Sequence, residues 1–155
     1  LDGYAFVAEA LVGNALGAKR GDVFDLAVRR TTVLAAVTAM LLALAIILLG
    51  DVAVMLLTDI SAIRLAINPL LPLAALYVLL SFAAFQLDGI FIGASFTRQM
   101  RDAAALSIAV YLIAWWALKG QFGVQGLWGA MIIYVIARAM ALLLFYPSLR
   151  RSVGV

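Results

Sequence analysis

Long apolar runs, separated by short segments that collect the charges, organise this chain. Five runs stand out, at 1–17, 31–50, 69–94, 103–118 and 126–146. A helix rises 1.5 Å per residue, so crossing a hydrocarbon core about 30 Å thick takes roughly 20 apolar residues. The second, third and fifth runs reach that length and the fourth is short. The first begins abruptly at Leu1 and reads as a span whose start lies upstream. A lipid-exposed backbone must satisfy its own hydrogen bonds, and runs of this length do so as helices. The pattern therefore predicts an all-α fold, a polytopic transmembrane helix bundle of about five spans.

The connectors carry the orientation. Lys19, Arg20, Arg29 and Arg30 follow the first span, Arg98 and Arg101 follow the third, and Arg150 and Arg151 follow the fifth. The alternate connectors hold only Arg64 and Lys119. Eight cations against two place the first set in the cytoplasm. Span one then runs inward and the C-terminus is cytoplasmic. Gly21–Arg30, with Val23, Phe24, Leu26 and Val28 among its polar residues, is expected along the inner surface. Two readings remain open for Asp51–Asn68: a short interfacial helix, or an extension of span two followed by a loop.

Composition strengthens the membrane assignment. Of 155 residues, 67% are hydrophobic and 12% charged, whereas a soluble domain is near half apolar and a quarter charged. With neither Cys nor His, disulfides, thiolate metal sites, Cys nucleophiles and His-based catalysis are excluded. The net charge of +3 sits at span ends, where it sets topology, so nucleic acid is not an expected partner. The start lacks an initiator Met and shows no secretory signal pattern, which reads as a truncation inside a longer protein.

Three ionisable residues fall inside spans: Glu9, Asp88 and Arg138. Counting helical rise from Lys19, Arg98 and Pro147 puts each roughly 14–15 Å from the inner boundary, near the midplane. An isolated charge there costs at least about 3 kcal/mol by insertion scales, so each must face the interior, a wet cavity or an opposite charge. Arg138 stays protonated under almost any condition and reads as a structural ion-pair partner, for instance of Glu9, or of Asp88 if that acid has a structural role. Asp88 and Glu9 are the candidates for coupling to a proton or cation, with Na⁺ an option at Asp88. Gln86 lies near Asp88, and Gly89 opens the helix surface beside it. Glycines recur at helix-contact spacing (Gly13 and Gly17; Gly89 and Gly93; Gly123, Gly126 and Gly129), a packing signal. Tyr77, Trp115, Trp116, Trp128 and Tyr146 fall near span ends, where aromatic residues anchor helices at the interface.

Three strings carry a family resemblance. LDGYAFVAEALVGNALGAKRGD at the start, FQLDGIFIGASFTRQMRD around the end of span three, and FGVQGLWGAMIIYVIARAMALLLFYPSLRR near the C-terminus resemble the eighth, tenth and twelfth helices of MATE (multidrug and toxic compound extrusion) transporters of the DinF-like branch. The resemblance runs in order along the whole chain. It implies two six-helix bundles facing each other across a central cavity that opens alternately to either side, with this chain supplying part of the C-terminal bundle and the N-terminal bundle absent. In sodium-coupled relatives an acid of the tenth helix contributes to the cation site, and Asp88 matches its motif position. In the DinF-like branch the proton site is mainly assigned to acids of the first bundle.

The resemblance leads to a proton- or sodium-coupled antiporter exporting amphipathic or cationic organic compounds, in a bacterial inner membrane, with no cofactor beyond the coupling ion. Its partners would be a small organic substrate, membrane lipids and the N-terminal half of the transporter. A lipid-intermediate flippase needs a cavity rich in Arg and Lys, and Arg138 is the one interior cation. A membrane-embedded transferase needs clustered acids or a His, and the acids within spans are sparse.

Overall fold

In the computed structural model, residues 1–152 are described, and they form helices without a strand. The elements are α1 (Asp2–Gly17), α2 (Gly21–Leu57), α3 (Ser61–Ile67), a 3-10 turn (Asn68–Leu70), α4 (Leu71–Gly93) and α5 (Thr97–Ser152). α2, the Ser61–Gly93 stretch and α5 are long and apolar enough to cross a membrane. α5 is two helices in one. At Gly123 the backbone turns to φ +52°, ψ −125°, a conformation open to glycine because it lacks a Cβ. The two arms then fold back: the position a Cβ would take on Gly126 lies 2.6 Å from the Leu118 carbonyl oxygen, and the Tyr111 and Tyr134 rings meet edge to face at 6.1 Å. The runs at 103–118 and 126–146 occupy separate arms.

Side chains are sorted inside out relative to a soluble protein. Along α2, Ala27, Thr31, Ala35, Ala39 and Ala43 recur every fourth residue and are buried, while Met40, Leu41, Leu48 and Leu49 are exposed. Lipid tails are as apolar as leucine, so large aliphatic groups gain little by facing inward. Small ones let helices approach closely. α4 is the central helix, packing against α1, α2 and α5.

α1 and α4 run parallel. Gly89 lies against the backbone of Ala5, and Gly93 against that of Glu9. The two helices also end alike. Lys19 and Ser95 take positive φ values of 54° and 59°, and in each case the next amide reaches back five residues, Arg20 to Ala15 and Phe96 to Phe91, both at 3.0 Å. This is a Schellman closure without its usual glycine. Two residues after each positive-φ residue a new helix begins, at Gly21 and Thr97. The α1–α2 and α4–α5 hairpins thus superimpose in pattern, matching Gly13 with Gly89 and Gly17 with Gly93.

Two connectors differ from the sequence expectation or resolve it. Gly21–Arg30 is not a separate surface segment but the first turns of α2, with no break before the span. Of its apolar residues Phe24 is fully buried, Val23 and Val28 are half-buried and Leu26 is exposed. Asp51–Leu57 extends α2, and the connector then holds the short α3. Arg64 closes the end of α2: its Nε donates to the Thr58 carbonyl at 2.8 Å and an Nη to that of Met55 at 3.1 Å, a cation placed where the helix leaves carbonyls unpaired.

Candidate functional site

Arg138 and Asp88 meet inside the bundle. Nη2 and Nε of Arg138 donate to Oδ1 of Asp88 at 2.8 and 3.2 Å, and Nη1 donates to the Met100 carbonyl at 3.3 Å. The side chains are 11% and 27% exposed. One guanidinium therefore ties α4 to both arms of α5. A charge pair this enclosed holds only because the geometry returns what desolvation takes away.

Glu9 is elsewhere. Its backbone forms the α1 side of the crossing at Gly93, and it has no ion pair among the described residues. The sequence offers Glu9 as an example of a partner for Arg138 and Asp88 as the structural alternative. The structure gives Arg138 to Asp88. It also separates the two acids in depth. Gly89 is level with Ala5 and Gly93 with Glu9, so Glu9 lies about five residues, roughly 7.5 Å, nearer the C-terminal ends of α1 and α4 than Asp88. The estimate of equal depth counted residues to Arg98 as axial rise, but α4 ends at Gly93 and the chain reverses over 94–96. Asp88 is thus only about 7.5 Å from the end of its helix. The contact of its partner with Met100, in the first turn of α5, fits that depth.

Two residues before Asp88 on α4, polar groups stitch α2 to α4. Thr31 donates to the Ala27 carbonyl at 2.8 Å and accepts from Gln86 Nε2 at 2.6 Å. Gln86 is 2% exposed, and its Oε1 is buried without a partner. Gln86 also lines an apolar cavity of about 250 Å³ between α2, α4 and the second arm of α5, with Val28, Phe82, Leu143 and Tyr146. Below that cavity Arg150 donates to Asp25 at 2.6 Å, joining the first turns of α2 to the end of α5. On α1, Tyr4 and Thr38 share a hydrogen bond at 2.8 Å. Some aromatic residues expected at interfaces are structural: Tyr77 packs edge-on against Trp128 at 6.1 Å. Lys119 sits 4.6 Å over Trp115, and Trp116 is exposed.

Sequence reasoning missed Asp25–Arg150, Thr31 and the Met100 carbonyl. Gln86 stood out as a polar residue in an apolar run. The other contacts join positions far apart in the chain and leave no local pattern.

The sequence model of the MatE family matches residues 3–118, three-quarters of the chain and across both α1 and α4. The chain belongs to the MatE family. It is also 29% identical over 146 residues to the DNA damage-inducible protein F of Escherichia coli (strain K12), an alignment covering 92% of this chain and 31% of that protein. The chain thus spans about a third of the length of this curated relative. No solved structure matches it. MatE proteins are transporters rather than enzymes, so the Asp88–Arg138 pair sits in a MatE membrane bundle and calls for a reading in terms of transport.

Proposed function

We propose that this MatE chain is part of the C-terminal bundle of an ion-coupled export antiporter, with Asp88 as the residue of this bundle that meets the coupling ion. An inward-moving proton or Na⁺ drives an amphipathic or cationic organic compound outward by alternating access. The protein lies in a bacterial inner membrane, its C-terminus in the cytoplasm, and it works with an N-terminal bundle across the central cavity. Glu9 is a second coupling candidate, at the α1–α4 crossing. Coupling requires that an ion bind one cavity orientation better than the other. The observation that carries the reading is the Asp88–Arg138 pair: an acid within the bundle, bound to a cation that joins three helical segments.

The flippase alternative needs interior cations free to receive an anionic headgroup. Arg138 is engaged by Asp88, which weighs against it. The test is reconstitution of the complete protein, as its gene encodes it, into proteoliposomes loaded with a lipophilic cationic dye. An imposed proton or Na⁺ gradient should drive dye movement against its own gradient. Movement of an anionic lipid-linked substrate, with the dye left unmoved, would replace the antiporter with the flippase.

A further inference from the structure

The Asp88–Arg138 pair has an unusual division of labour. An arginine facing a carboxylate commonly places one N–H on each oxygen. Here Nε and Nη2 converge on Oδ1 alone, and no hydrogen bond among the described residues reaches Oδ2. The Asp88 side chain keeps 27% of its exposure. The carboxylate is therefore half used: one oxygen is held by the guanidinium, the other is open to a second cation. Arg138 in turn has a second acceptor already in reach, the Met100 carbonyl at 3.3 Å.

We propose that Arg138 is a tethered cation that competes with the coupling ion for Asp88. A proton or Na⁺ arriving at Oδ2 weakens the hold of Asp88 on Arg138, and the guanidinium falls back on the Met100 carbonyl. This inference rests on the reading of Asp88 as an ion-binding residue and adds what opposes the ion there. Arg138 cannot neutralise itself by losing its proton, so it needs an acceptor in both states, and Met100 supplies one within α5. Before exchange, Arg138 ties α4 to both arms of α5. After exchange, it ties the two arms to each other and α4 loses this tie to α5. The ion thus gains a differential affinity for the state in which α4 is untied from Arg138, the condition for a conformational change to be driven at all.

Other ionisable groups near this point do not substitute for Arg138. Tyr4 of α1 is level with Asp88 and bonded to Thr38 of α2. Glu9 lies lower on α1, Tyr134 is one turn along α5 from Arg138, and Arg101 of the first arm is turned to Asp102 at 2.8 Å. Arg138 is therefore a positioning residue whose charge sets how strongly Asp88 attracts an ion.

The test uses the complete protein, purified, with its thermal midpoint followed as Na⁺ is titrated at fixed pH and pH at fixed Na⁺. A ligand that binds the folded state raises the midpoint according to its occupancy. In R138Q the competitor is gone: the half-saturating Na⁺ concentration falls at least tenfold, or, for a proton-coupled protein, the titration midpoint moves to higher pH. R138K keeps a charge but lacks the planar fork, and its half-saturation falls between wild type and R138Q. Should R138Q fail to accumulate, R138K decides alone: lower half-saturation than wild type supports the competition, and equality overturns it. D88N loses the ion-dependent shift. If D88N keeps it, Asp88 is not the ion site and both readings fall. If D88N is silent while R138Q titrates like wild type, Asp88 stands and the competition by Arg138 is wrong.

Discussion

Replacing Gly89 by alanine adds a single methyl group, and the structure says where it goes. The new Cβ would sit 2.8 Å from both Cα and the carbonyl carbon of Ala5, and closer still to its oxygen. Carbon atoms rest at about 3.5–4.0 Å, so α1 and α4 must part by roughly 1 Å. Backbone atoms cannot swing aside as a side-chain tip can. Overpacking of this kind costs about 1–3 kcal/mol, against a gain of about 0.5–1 kcal/mol from removing a helical glycine. Gly17, on the same helix pair, is the control: a Cβ there meets nothing within 4 Å, so Gly17→Ala keeps the gain without the clash. The two variants should differ by about 2 kcal/mol, G89A below wild type and G17A at or above it. Equilibrium unfolding in mixed micelles, monitored by tryptophan fluorescence, reads the difference. Equal stability of G89A and G17A would refute the close parallel contact of α1 with α4.

Gly123→Ala places a side chain where φ is +52° and ψ −125°, and it should destabilise the α5 hairpin by about 1–3 kcal/mol. Unfolding measured beside Gly120→Ala, where a Cβ meets nothing within 4 Å, isolates the backbone effect, and equal stability would count against the fold at Gly123. The proposed orientation puts both Asp22 and Ser152 on the cytoplasmic face. Because the chain has no cysteine, Asp22→Cys and Ser152→Cys give single labels that an impermeant maleimide should reach in inside-out vesicles and not in intact cells. Labelling from outside intact cells would invert the topology.

Much of the fold was legible because lipid imposes it. Apolar runs of sufficient length must be helical, and the breaks at Ala18–Arg20, Ala94–Phe96 and Gly123 fall between the expected spans or at their very ends. The inner stripe of α2 was harder to see. Ala27, Ala35, Ala39 and Ala43 lie in a sequence that is apolar all round, so hydrophobic periodicity does not separate their face from the leucines outside. Depth misled for a physical reason: residues counted past Gly93 measured a turn as if it were rise. The three interior ionisable residues could be picked out by type alone, since Glu9, Asp88 and Arg138 are costly in an apolar run. Their pairing could not, because Arg138 lies fifty residues from Asp88 in the chain and helix adjacency is set by packing. Asp25 and Arg150 illustrate the same limit: each reads as an ordinary topogenic charge, yet they bond at 2.6 Å.

The role of Asp88 is tested most directly by substituting asparagine in the complete protein and measuring dye export from proteoliposomes under imposed proton and Na⁺ gradients. Asparagine keeps the shape and a carbonyl for Arg138 while removing the charge that an ion would meet. The account predicts a variant that inserts and accumulates like wild type but loses most of its gradient-driven export. Wild-type export by Asp88→Asn, with unchanged dependence on pH and Na⁺, would contradict it and leave the pair as a purely structural contact.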